Sequence, residues 1–214
     1  MTRKSRYALR TILGSALIVA TLAIACRTGS ESEPARKRDE PVAPTIVSFP
    51  TPDEGLIYAH EYGDGHHAVV LAHGGRFNKE SWETQARVLA REKFRVLAID
   101  FRGYGQSRGG TQANDDHYLD ILGAVRYLRR TGAKTVSVIG GSFGGGAAAE
   151  AAVHAAPGEI DRLVLLAHSS IEQPERMQGR KLFIIARNDP HGSGRPRLPD
   201  IRKQYEKAPE PKNW

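Results

Sequence analysis

A serine flanked by glycines, near position 142, is the arrangement in this sequence best suited to covalent chemistry. The segment Gly-Gly-Ser-Phe-Gly at 140–144 follows the apolar run TVSVIG (135–140) and opens the Ala-rich run 143–156. A strand–turn–helix setting of this kind holds a serine on a tight turn with its hydroxyl exposed, and small neighbours let strand and helix approach closely. The start of the helix offers free N–H groups to a developing negative charge. The pattern predicts that Ser142 is a nucleophile; the alternative is a glycine-rich turn with an incidental serine.

The elements that would position this serine follow from the hydrophobic pattern. From residue 45 onward, apolar runs of strand length alternate with amphipathic helical patterns. Such alternation favours an α/β fold, with a mostly parallel sheet and helices on both faces. The pattern predicts strands at about 45–49, 56–62, 68–73, 95–100, 135–140, 162–168 and 181–186, and helices at about 79–92, 118–128, 143–156 and 198–208.

With the serine in this setting, residues 45–214 resemble the α/β-hydrolase superfamily, and within it the serine esterases, lipases and dienelactone-hydrolase-like proteins. The stretch His73-Gly74-Gly75 stands where that family has its oxyanion loop. The resemblance implies that the N–H groups of Gly75 and Phe143 bind the oxyanion, and that His73 orders the loop. The segment 100–107 resembles the family's D-x-R-G-x-G-x-S loop, which implies a structural role in organising a turn beside the pocket.

The same resemblance assigns an acid and leaves the base without a position. Asp189, just beyond the run KLFIIA (181–186), stands where the family has its triad acid. No histidine follows His191, which shares the short loop of Asp189. We therefore expect an α/β-hydrolase fold lacking its last strand and helix, with impaired activity. It would be a fragment of a longer hydrolase or a degenerate copy, and the retained Ser142, oxyanion loop and Asp189 favour the fragment.

The N-terminal residues have the pattern of an export signal. Four basic residues precede the apolar run 11–25, which is too short to span a bilayer comfortably. The run ends at Cys26, the sole cysteine, and residues 22–26 resemble the lipobox of bacterial lipoproteins. The sequence thus predicts a signal peptide at 1–26 with lipidation at Cys26, a disordered linker at 27–44, and a hydrolase domain at 45–214. The alternatives are a secretory signal or an uncleaved anchor with an incidental cysteine.

The distribution of charge argues against nucleic acid as a partner. The formal net charge is +7, but residues 1–42 hold eight Lys/Arg against four Asp/Glu, so more than half of the excess precedes the domain. No metal-ligand spacing or dinucleotide fingerprint is visible, so we expect no metal and no cofactor. The predicted function is a serine hydrolase of the cell envelope that cleaves small carboxylic esters or related acyl bonds. The alternatives are a lipid-anchored binding protein without catalysis, and other chemistry of this fold such as peroxidase activity or carbon–carbon bond hydrolysis.

Overall fold

The computed structural model of the protein describes residues 43–112, 115–191 and 193–214. The predicted signal peptide, Cys26 and nearly all of the predicted linker lie outside these residues. No helix in the described part of the chain is both long and apolar enough to cross a membrane. Its strands are β1 (Thr45–Pro50), β2 (Leu56–Tyr62), β3 (His67–Ala72), β4 (Phe94–Ile99), β5 (Thr135–Gly141), β6 (Arg162–Leu166), β7 (Arg180–Ile184) and β8 (Lys212–Asn213). Its α-helices are α1 (Glu83–Arg91), α2 (Tyr118–Arg130), α3 (Phe143–His154) and α4 (Leu198–Lys207), with one-turn helices at Lys79–Trp82 and Pro174–Arg176.

The strands form one sheet in the order β1-β2-β4-β3-β5-β6-β7-β8. β1 pairs antiparallel with β2, and β2 pairs antiparallel with β4, whereas all the other pairs are parallel. β3 and β5 lie at the centre of the sheet. Val69, Val70 and Leu71 of β3 are all buried, because helices cover both faces of the sheet there. The prediction of a mostly parallel sheet with helices on both faces is confirmed.

Alternate residues of each strand enter one of two cores. Val70, Val138 and Leu165 belong to the larger core, which contains the buried side chains of α2, α3 and α4. Val69 and Val96 point to the opposite face and pack with two alanines of α1. Because side chains alternate along a strand, these two contact sets place α2, α3 and α4 on one face and α1 on the other.

The sequence pattern predicts no strand beyond residues 181–186, whereas the structure has a short strand after α4. After α4 the chain turns through Pro209 and Pro211, and Lys212–Asn213 pairs in parallel with β7 as β8. Proline cannot continue a helix and favours extended backbone, which explains why the chain leaves α4 in a strand-like conformation. The Lys181 N–H donates to the Pro211 carbonyl (3.0 Å), and the Trp214 ring stacks on Phe183 with centroids 6.4 Å apart. The edge of β7 is therefore partly covered.

Candidate active site

Ser142 occupies a turn that an ordinary residue rarely adopts. It lies between β5 and α3 with φ 51° and ψ −115°, and its side chain is exposed. A non-glycine residue at positive φ is strained, and it persists only where its surroundings hold it. Here the Ser142 N–H donates to the Leu166 carbonyl (2.8 Å), while the Ser142 carbonyl accepts from the Gly146 N–H (3.1 Å). These bonds hold the hydroxyl at the carboxyl edge of the sheet.

Two of the glycines around the serine, Gly140 and Gly144, are required by close contacts between backbones. A Cβ at Gly140 would lie 2.3 Å from the Gly144 carbonyl oxygen, and a Cβ at Gly144 would lie 2.4 Å from the His73 carbonyl oxygen. Gly144 thus lets α3 approach the end of β3, which carries the predicted oxyanion loop. The motif is explained by packing as much as by chemistry.

The two predicted oxyanion donors are brought together. A Cβ at Gly75 would lie 3.5 Å from the Cβ of Phe143. The His73 Nδ1–H donates to the Gly74 carbonyl (2.9 Å), which also accepts the Phe77 N–H (2.9 Å). The Gly74–Gly75 peptide is planar and trans, so the Gly75 N–H points in the direction opposite to the Gly74 carbonyl. It therefore points away from the two donors that bind this carbonyl. Phe143 is the first residue of α3, so its N–H has no intrahelical acceptor.

His73 orders this loop through both of its ring nitrogens. It is fully buried, and its Nε2 accepts from the Phe101 N–H (3.4 Å) while Nδ1–H is bound to Gly74. Burial lowers the pKa of His73, which favours the neutral ring that this pair of bonds requires. The geometry gives His73 a structural role, as the sequence predicted.

The loop at 100–107 is held by buried ion pairs. Asp100 accepts from the backbone N–H of Lys79 (2.8 Å) and from its ammonium group (2.7 Å). Arg102 is 3% exposed and bridges Asp53 and Asp120, with N···O distances of 2.8 to 3.1 Å. Burial raises the pKa of Asp120, and it would raise that of Asp53 too, but hydrogen bonds from Arg102 and Thr51 hold the pKa of Asp53 at about 2. These pairs join the loop after β4 to the β1–β2 turn, to α2 and to the short helix after β3.

Asp189 follows β7, two strands away from the serine. Parallel neighbours are about 4.8 Å apart, so the ends of β5 and β7 are separated by roughly 10 Å at the same sheet edge. Asp189 Oδ2 is buried and accepts no hydrogen bond within the described residues, although Arg197 Nε lies 3.3 Å away. Arg197 also donates to the Ala167 carbonyl (2.6 Å), after β6. The carboxylate therefore retains an acceptor site, but beside an arginine that the sequence pattern did not indicate.

None of the histidines in the described part of the chain hydrogen-bonds to Ser142 or Asp189. His191 lies 3.3 Å from Asp200, and His154 pairs with Glu150 on α3. His117, at the start of α2, packs its ring 4.7 Å from that of Phe143 while Nδ1–H donates to the Asp115 carbonyl. His168 is fully buried against Phe183, and burial lowers its pKa to about 4. The triad base that the resemblance requires is not among these contacts.

A cleft that the sequence pattern did not indicate opens beside Ser142. Its volume is about 290 Å³, and its largest walls are the Phe77 and Trp82 side chains. The spacing of Trp82 in the helical run 79–92 places it on the core-facing side, and the ring does reach that core, but one edge faces the cleft. The lining residues are Gly74, Phe77, Ser81, Trp82, Gln85, Gly141 and Ser142.

No group of three or more His, Cys, Asp or Glu side chains within the described residues has an arrangement that could hold a metal ion.

Comparison with known proteins assigns the chain to a family. The model of the alpha/beta hydrolase fold matches residues 67–200, so the chain belongs to the α/β-hydrolase family. A non-heme haloperoxidase of Rhodococcus erythropolis is 30% identical over 122 residues, which are 56% of this chain and 43% of the relative. A bifunctional esterase/perhydrolase of Acinetobacter calcoaceticus is 35% identical over 104 residues, which are 47% of this chain and 37% of the relative. The chain thus spans about two fifths of the length of these relatives.

Among solved structures, the esterase Pf2001 of Pyrococcus furiosus is similar over 81% of each chain, with a TM-score of 0.68 and 19% sequence identity. At this identity the likeness concerns the fold. Together with the family match, it confirms the predicted α/β-hydrolase fold.

Proposed function

We propose that the protein is a serine hydrolase of small carboxylic esters, with Ser142 as the nucleophile. The observation that carries the proposal is the strained, exposed Ser142 at the start of α3, with the backbone of Gly75 beside Phe143. In this geometry the Ser142 oxygen attacks the ester carbonyl, and the N–H groups of Gly75 and Phe143 bind the oxyanion. Each such donor is worth about 3–4 kcal/mol of transition-state stabilisation.

The serine proton needs an imidazole, and Asp189 would orient it. Asp189 Oδ2 has no hydrogen-bond donor within the described residues, which suits an acid that accepts from an imidazole Nδ1–H. We propose that this imidazole belongs to none of the eight histidines of the sequence, so that the 214 residues alone have little activity. Loss of a triad histidine lowers the rate by about 10⁴–10⁶, and the oxyanion site and binding leave residual catalysis.

The proposal extends to the cell envelope. The basic and apolar segments of residues 1–26 favour export, and the lipobox-like end at Cys26 favours a lipid anchor on the membrane. Residues 27–44 would then act as a polar tether between the anchor and the hydrolase domain. Mass spectrometry of the native protein tests this, because lipidation adds acyl chains at Cys26 and removes the residues before it, whereas an unmodified Cys26 contradicts it.

A binding protein without catalysis is the second candidate. It is favoured by Arg197, which forms an ion pair with Asp189 (3.3 Å) and so gives the carboxylate a counter-charge that does not depend on an imidazole. In that case the site would hold an acyl compound without turnover.

Imidazole rescue separates the two candidates. We would measure hydrolysis of p-nitrophenyl butyrate with and without added imidazole, and subtract the rate of imidazole alone. Added imidazole should increase the protein-dependent rate at least about tenfold, and Ser142→Ala should abolish the increase. Ser170→Ala, which changes an exposed serine outside the 140–144 turn, is the matched control. An increase that persists in Ser142→Ala, or no increase at all, would overturn the catalytic proposal.

The names of the relatives suggest a companion measurement. One is a haloperoxidase and another an esterase/perhydrolase. An acyl-enzyme at Ser142 could transfer its acyl group to hydrogen peroxide in place of water, which releases a peracid and regenerates the serine. The same assay with hydrogen peroxide, read by peracid formation, tests whether this chain shares that chemistry.

A further inference from the structure

The cleft beside Ser142 has the position and the apolar walls that a hydrocarbon chain requires. Phe77 and Trp82 form its two large walls, and Ser81 and Gln85 complete its rim. Phe77 is 60% exposed even though it is a large apolar side chain. Exposed aromatic walls that converge on a nucleophile are a feature of ligand sites more than of packing.

The position of the cleft relative to Asp189 decides which half of an ester it can hold. Asp189 lies after β7, and the imidazole that it orients must give a proton to the leaving oxygen. The leaving group therefore faces the β6–β7 side of Ser142. The cleft lies on the opposite side, where Gly74 and Phe77 follow β3. On that side only the acyl chain can extend from the carbonyl.

We propose that the Phe77–Trp82 cleft is the acyl-binding subsite, and that it favours acyl chains of up to about eight carbons. The proposal rests on the proposed esterase function for the orientation of the ester. A volume of about 290 Å³ corresponds to about ten non-hydrogen atoms at roughly 30 Å³ each. The cleft would therefore be filled by a chain of about eight carbons, and longer chains would gain little.

Binding can be measured without any turnover, because Trp82 is a fluorescent wall of the cleft. The chain has two tryptophans, Trp82 and Trp214, so Trp214→Phe leaves Trp82 as the single reporter. We would titrate this variant with butanamide, hexanamide and octanamide, which carry a carbonyl but resist hydrolysis. Saturable changes in Trp82 emission are expected, with affinity rising on the order of tenfold for each two-carbon step.

A cleft-filling variant locates the site. Ser81→Leu should weaken octanamide binding at least about tenfold. Thr84→Leu adds the same side chain at an exposed position of α1 that does not line the cleft, and should leave binding within about twofold. Absence of saturable binding, or equal binding in the two variants, would overturn the proposal.

The same titration in Ser142→Ala distinguishes the subsite from the reaction. Retained chain-length dependence in that variant supports the subsite whatever the outcome of the hydrolysis assay. If hydrolysis proves independent of Ser142 while the cleft still selects by chain length, the proposed reaction fails and the subsite stands.

Discussion

At the scale of single residues, the 140–144 turn combines a strained backbone at Ser142 with close packing at its glycines. Ser142 is held at φ 51°, and Gly144 fits only because it has no side chain. Strain of this kind costs of order 1–3 kcal/mol, and the surrounding packing offsets it. The residues of this turn are therefore needed for the fold as well as for the site. The effect of a substitution on the free energy of unfolding depends on the atoms that surround each position.

Two glycines on either side of Ser142, Gly141 and Gly144, provide a matched test of this packing. A Cβ at Gly144 would lie 2.4 Å from the His73 oxygen and 2.5 Å from the Ala72 oxygen, both of which are backbone atoms. We expect Gly144→Ala to lower the free energy of unfolding by about 2–3 kcal/mol. A Cβ at Gly141 would meet only Trp82 at 3.9 Å, so Gly141→Ala should change it by less than about 1 kcal/mol. Urea denaturation measures both, and equal losses would contradict the packing argument.

His168 should make stability depend on pH. Burial, with a contribution from nearby Arg197, lowers the pKa of His168 from 6.5 to about 4. Between these values the unfolded chain binds a proton that the folded chain does not. The stabilisation is thus complete above pH 6.5 and is lost as the pH falls towards 4, by about 2 kcal/mol at pH 5.

The variant His168→Leu should remove this part of the pH dependence. Urea midpoints at pH 7 and pH 5 would be compared for the wild type, His168→Leu and His66→Gln, the last of which changes an exposed histidine. An undiminished dependence in His168→Leu would show that other groups are responsible.

At the scale of elements, buried ion pairs fasten the loops around the sheet edge. Arg102, in the loop after β4, joins Asp53 in the β1–β2 turn to Asp120 in α2. Lys79 connects the short helix after β3 to Asp100, after β4. The loop after β4 is thereby tied to three neighbouring segments, one of which directly follows the oxyanion loop.

Removal of Arg102 should be costly because it leaves two buried carboxylates, Asp53 and Asp120, without a positive counter-charge. We expect Arg102→Ala to lower the free energy of unfolding by about 3–5 kcal/mol. Arg87→Ala removes the partner of Glu83, whose side chain is 49% exposed, and should cost about 1 kcal/mol, less than the loss of the buried pairs. Chemical denaturation of both variants tests the difference, and similar losses would mean that the buried pairs do not fasten the loops.

The elements also show how far the sequence predicts this molecule. Strands such as β3 and β5 could be placed because an apolar run bounded by polar residues reports a buried strand directly. The turn that carries Ser142 could be predicted because close contacts between residues near one another in sequence require glycines there. The Arg197 contact with Asp189 and the cleft edge of Trp82 could not, since both depend on packing between segments distant in sequence. β8 was not predicted, because its two residues are both polar and show no hydrophobic alternation.

At the scale of the whole molecule, the two faces of the sheet are unequally covered. Within the described residues, α1 covers β2 and β4 on its face, whereas α2, α3 and α4 lie on the other. The apolar residues that β5, β6 and β7 direct to the α1 face are only partly buried, and Ile184 is 47% exposed. Apolar surface of this kind on a sheet favours association.

We therefore expect the 214-residue chain to self-associate through this half of the sheet. Ile184→Thr should reduce the apparent mass in light scattering at high protein concentration, because it removes the most exposed apolar side chain of β7. Val88→Thr, at a 51% exposed valine on α1, is the matched control and should have little effect. Equal behaviour of the two variants would argue against this face.

The central claim, that Ser142 is the nucleophile, is tested most directly by covalent capture. The protein would be treated with an alkyl fluorophosphonate in the presence of imidazole, and the site of modification would be found by tandem mass spectrometry. We expect a single phosphonyl group on Ser142, absent from Ser142→Ala. Modification of another serine instead, or none under conditions that modify a known serine esterase, would contradict it.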